Sequence, residues 1–104
     1  MQDTVTERDV VNFLDSLNMP HSNLGFLYLV KLIHRACQDQ EMNVHRRVMA
    51  LYDEVSPACN STPARIERAV RTFLKRENYS MTNGQFIYWA VDKLVYGDPS
   101  EPSS

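Results

Sequence analysis

Between residues 24 and 33 one charge, Lys31, interrupts an otherwise apolar run, and the pattern continues to Ala36. Leu24, Phe26, Leu27, Leu29, Val30, Leu32, Ile33 and Ala36 do not form a single stripe at helical spacing; they wrap most of the circumference. A helix that apolar is stable in water only when other elements surround it, so it belongs at the centre of a bundle. A run of that length falls short of the about 18–20 apolar residues needed to cross a bilayer. The chain has 104 residues, which allows one core, and three glycines, too few for a turn-rich β-sandwich or barrel. TIM barrels and doubly wound dinucleotide domains are excluded by length. The expectation is an all-α fold, a compact bundle of about five helices in one domain over residues 1–97, with residues 98–104 a disordered tail.

The other helices follow from their caps and periodicity. Thr4 and Glu7 read as a capping box that starts a first helix. Val10, Phe13, Leu14 and Leu17 then share one face, and Pro20 ends it. Ser22 or Asn23 caps the central helix, which runs to about Gln38. Residues 39–43 read as a polar connector. A third helix is predicted from about Val44 to Val55, with Val48, Leu51, Tyr52 and Val55 inward, followed by a turn over residues 56–60. Thr62 then caps a fourth helix, with Pro63 at the first helical position, where its missing N–H removes no bond. That helix reaches Arg76 or Glu77. Residues 78–81 form a loop, and Thr82 or Asn83 caps a fifth helix with Phe86, Ile87, Ala90, Val91 and Leu94 inward.

Charge decides which part of this bundle has chemistry to offer. The formal net charge is −2, but it is segregated along the chain. Residues 45–76 carry +4, and the segments before and after carry −3 each. A local positive field survives such a balance, because charges in water act over a Debye length of about 8–10 Å. On the fourth helix Ile66, Ala69, Val70, Phe73 and Leu74 occupy one arc of the wheel. Arg65, Arg68, Arg71, Thr72, Lys75 and Arg76 occupy the complementary arc, with Glu67 at the border.

A short turn followed at once by a capped, basic helix is the layout of a helix-turn-helix, here over about residues 44–77. In that arrangement the second helix lies in the major groove of double-stranded DNA. Arg65, Arg68, Arg71 and Thr72 are then the candidates for base contacts, since a guanidinium fork can donate to O6 and N7 of guanine. Ser61, Thr62, Lys75, Arg76 and Arg47 are the candidates for phosphate contacts. The plain alternative is a solvated amphipathic helix.

Several blocks resemble a known family: Gly25-Phe26-Leu27-Tyr28-Leu29, Leu51-Tyr52, the run from Asn60 through Arg65-Ile66-Glu67-Arg68-Ala69-Val70-Arg71, and Thr82-Asn83-Gly84-Gln85-Phe86-Ile87 with Asp92-Lys93-Leu94. In this order they resemble the C-terminal effector domain of the bacterial sporulation stage-zero regulator A, over roughly residues 8–96. The resemblance implies an all-helical DNA-binding domain acting in transcription in the cytoplasm. It implies a recognition helix presenting Arg65, Arg68 and Arg71, and a homodimer on repeated sites. Thr72 stands where the family carries a larger polar side chain. About seven residues precede the resemblance, so the family's receiver domain and its phosphorylation-driven pairing are not carried over. The short 78–81 segment replaces a stretch linked in the family to the sigma subunit, so contact with RNA polymerase is not carried over either.

Other functions leave little trace. Cys37 and Cys59 read as two reduced thiols rather than a disulfide. His21, His34 and His45 are too scattered for a metal site, and no cofactor, small-molecule ligand or membrane contact is expected. No paired carboxylates, Cys/His or Ser/His set, or glycine-rich phosphate loop points to an enzyme. The competing reading is a protein-interaction module that keeps the fold without binding DNA. Its partner interface would be Trp89 and Tyr96 on the last helix, unless the first helix covers them.

Overall fold

The apolar run becomes α2 (Leu24–Glu41), and in the computed structural model it packs against each of the other four helices: α1 (Glu7–Ser16), α3 (Val48–Cys59), α4 (Pro63–Arg76) and α5 (Asn83–Tyr96). The structure describes residues 4–44 and 46–97, which are all-helical with no strand among them. The expected tail at 98–104 lies outside the described residues. Leu29, Leu32 and Ile33 of α2 are fully buried, as are Leu51, Ile66, Phe86 and Ile87 around them. At about 1.5–3 kcal/mol per buried side chain, this shared centre is what holds five short helices together. Leu24 and Leu27 depart from the expectation: they are 55% and 54% exposed.

Four asparagines punctuate the bundle. Asn18, Asn43, Asn60 and Asn78 all adopt left-handed backbone, with φ of 64°, 59°, 52° and 66°, just past the ends of α1 to α4. Each is followed by a residue whose N–H reaches back to a carbonyl of the last turn: Met19 to Leu14, Val44 to Asp39, Ser61 to Ser56 and Tyr79 to Leu74. This double closure satisfies carbonyls that a helix end otherwise leaves unpaired. Asparagine tolerates left-handed backbone better than other residues with a side chain.

Three boundaries differ from the sequence reading. The first helix is capped by Thr6 rather than Thr4. Thr6 Oγ1 accepts from the Asp9 N–H, and the Asp9 carboxylate accepts from the Thr6 N–H at 2.9 Å. Glu7 is instead drawn to Lys31, also at 2.9 Å. The central helix runs three residues beyond Gln38, because Gln40 and Glu41 are good helix formers and the chain turns left-handed only at Asn43. The third helix is Val48–Cys59, not 44–55. Its start is delayed because Arg46 is bound to Asp39 by its side chain and to Tyr88 by its carbonyl. Its end absorbs Pro57 into the last turn, where only one helical bond is lost. The left-handed Asn60 then closes it.

Candidate nucleic-acid interface

Residues 60–62 join α3 to α4, which is a helix–turn–helix connection of three residues. Thr62 caps α4 as expected, its Oγ1 accepting from the Arg65 N–H at 3.2 Å, with Pro63 at the first position. The hydroxyl of Ser61 accepts a hydrogen bond from Tyr28 at 3.2 Å, which leaves its own proton free to donate. The inner face of α4 is closed by Ile66, Val70, Phe73 and Leu74, all buried.

Every side chain assigned to the outer face of α4 is exposed: Arg65, Arg68, Arg71, Thr72, Lys75 and Arg76. Arg71 alone of these makes an ion pair among the described residues, its Nε lying 3.2 Å from Glu67 Oε2. Lys75 and Arg76 in the last turn are favoured by the helix dipole. Arg65 in the first turn is not, and no acidic residue stands there to offset it. A negative group placed beside the start of this helix would therefore meet both a free guanidinium and the positive end of a dipole.

The basic face borders two grooves. Arg65, Arg68, Thr72 and Arg76 line one of them, whose far wall is the start of α2: Asn23, Leu24, Gly25 and Tyr28. Arg71 and Lys75 line the other, against Val48 and Met49 of α3 and the beginning of α5. Nothing in the residue pattern signalled that α2 would form a wall beside the basic face of α4. The one available hint was Gly25, a glycine inside a strongly apolar helix. A methyl group there would come within 2.5 Å of Phe73 Cβ and 2.9 Å of the Ala69 carbonyl, so its absence lets α2 and α4 touch.

Behind the second groove Asn83 is buried. Its Nδ2 donates to the Tyr52 hydroxyl at 3.0 Å and to the Glu67 carbonyl at 3.1 Å, tying the start of α5 to α3 and α4. Burial pushes the Tyr52 phenol above its ordinary range. Arg47, at the start of α3, is exposed and provides no side-chain cap. The aromatic pair on α5 separates. Trp89 is half-buried beneath α1, with Phe13 at 5.6 Å and Lys93 Nζ 5.8 Å from its ring centre. Tyr96 is 64% exposed and accepts a hydrogen bond from Gln40.

Both cysteines are free thiols, and no cluster of His, Cys, Asp and Glu able to hold a metal occurs among the described residues. No described helix is long and apolar enough to cross a membrane. A family model described as "Sporulation initiation factor Spo0A C terminal" matches residues 10–78, from α1 to the end of α4. The similarity read in residues 82–94 falls outside that match. No curated protein and no solved structure matches the chain.

Proposed function

The chain belongs to the Spo0A C-terminal family of DNA-binding effector domains, and from that membership we propose that it is a sequence-specific transcriptional regulator that lays α4 in the major groove. The observation that carries this reading is the row of exposed guanidinium groups at 65, 68 and 71, on a helix whose first turn holds no acid. Arg65, Arg68, Arg71 and Thr72 face base edges. Ser61, Thr62, Lys75, Arg76 and Arg47 hold the flanking phosphates. The chain acts in the cytoplasm as a regulator rather than an enzyme, and it pairs with a second copy on repeated sites. The interaction-module alternative is weakened because α1 covers Trp89.

Selection of bound oligonucleotides from a random pool at two salt concentrations tests the class directly. A short enriched motif is expected, and no enrichment at low salt would overturn the reading. On that motif Arg68→Ala should lose about 1–3 kcal/mol, or roughly five- to 150-fold in Kd. Its thermal midpoint should stay that of the wild type, because the side chain is exposed.

A further inference from the structure

Arg47 was assigned to a phosphate on its charge alone, yet the structure surrounds it with an apparatus that the DNA reading does not use. Asp39, near the end of α2, is 6% exposed, and its carboxylate takes two hydrogen bonds from Arg46, from Nε at 2.7 Å and Nη2 at 3.3 Å. Arg35 approaches the same carboxylate at 3.5 Å, and both arginines also approach Glu54 of α3, at 3.6 and 3.8 Å. The Asp39 carbonyl accepts from the Val44 N–H at 2.7 Å. From the other side, the Tyr88 hydroxyl of α5 donates to the Arg46 carbonyl at 2.7 Å, which fixes the peptide linking residues 46 and 47. The Arg47 carbonyl accepts the first helical bond of α3, from Leu51 at 3.0 Å. The backbone of Arg47 is thus held on both sides, while its side chain is exposed and has no ion pair among the described residues.

We propose that Asp39 is a positioning residue for DNA binding: through Arg46, and with Tyr88, it fixes the approach to α3 so that Arg47 is presented to a phosphate. The proposal rests on the DNA-binding reading above. Pairing of Asp39 with Arg46 selects one placement for Arg46 and the residue after it, because the guanidinium meets the carboxylate with two bonds in a fixed fork. A fixed Arg47 binds a phosphate without first losing the freedom of a mobile loop. The same linker left loose would still carry the charge, but over many positions.

The test uses the salt dependence of binding to a short fluorescent duplex of mixed sequence, where each phosphate contact contributes about 0.9 to the log–log slope. Arg47→Ala is expected to lower the slope by about that amount. Asp39→Asn should lower it by a comparable part of one contact, and Asp39→Asn with Arg47→Ala by no more than Arg47→Ala alone. Tyr88→Phe removes one hydroxyl from a ring that is 39% exposed, so it should fold even if Asp39→Asn does not. It should also show no further loss when combined with Arg47→Ala. Additive losses, or unchanged slopes in both Asp39→Asn and Tyr88→Phe, would overturn the positioning role. If Arg47→Ala has the wild-type slope while Arg68→Ala binds more weakly, the inference falls and the reading of α4 stands. If the wild-type chain does not bind the duplex at low salt, both fall.

Discussion

Gly25→Ala adds one methyl group at the contact between α2 and α4, and the geometry allows its effect to be worked out. The new carbon would lie 2.5 Å from Phe73 Cβ and 2.9 Å from the Ala69 carbonyl oxygen. Unbonded carbons settle at about 3.5–4.0 Å, so the helices must separate by about 1 Å or more. Neither obstructing atom can swing aside, since one is a backbone oxygen and the other a Cβ fixed to the backbone. Overpacking of this kind costs about 1–3 kcal/mol. The better helix propensity of alanine offsets at most about 1 kcal/mol. With that offset taken in full a net loss of up to about 2 kcal/mol remains, and in a domain of this size each kcal/mol lowers the thermal midpoint by about 4–8 °C. Gly84→Ala is the matched control, because a methyl there meets Val48 at 3.7 Å, an ordinary contact. It should leave the midpoint unchanged or raise it, through a stabilisation of up to about 1 kcal/mol. Thermal melts followed by circular dichroism compare the two directly. A Gly25→Ala protein as stable as Gly84→Ala would refute the claim that these helices touch through the missing side chain.

Two further outcomes follow from buried groups. Asn83→Ala removes both bonds that tie α5 to Tyr52 and Glu67 and strands a buried hydroxyl, so chemical denaturation should show a loss of about 1–3 kcal/mol. Burial, aided by Glu41 and Asp9, pushes the Cys37 thiol up to about 12, whereas the unfolded thiol titrates near its ordinary value. Between about pH 9 and 12 the unfolded chain therefore holds fewer protons than the folded one, and stability should fall as pH rises, by about 1.4 kcal/mol per pH unit at most. Cys37→Ala should flatten that slope in denaturation curves measured at each pH, and an unchanged slope would count against the burial of this thiol.

What could be read from the sequence was local. The caps Asn23, Thr62 and Thr82 act within three residues of themselves, and the two faces of α4 depend only on helical period, so both were visible without tertiary information. The errors lie where a distant partner overrides local preference. Val44 begins an apolar pattern that looks helical, but its N–H closes the end of α2 on the Asp39 carbonyl, and Arg46 is held by the Asp39 carboxylate and by the Tyr88 hydroxyl of α5. Leu24 and Leu27 look like core because they are leucines on the most apolar helix. Their exposure depends on where the surrounding helices lie, and periodicity carries no information about that.

The same distinction governs how this chain can bind an anion despite a net charge of −2. Most of the carboxylates that pair do so away from the outer face of α4: Glu7 with Lys31, Asp15 with His21, and Asp39 and Glu54 with Arg35 and Arg46. Glu67 takes Arg71, and at 63% exposure that arginine is still open to solvent. None of these pairs includes Arg65 or Arg68, and a charge beyond a Debye length in water contributes little to the field there. Glu67→Gln should free Arg71 without altering the fold, whereas charge changes on the far side of α2 should leave the basic face as it is. The strength of the local field is then set by one carboxylate on the helix itself, and the overall charge of the chain has little bearing on it.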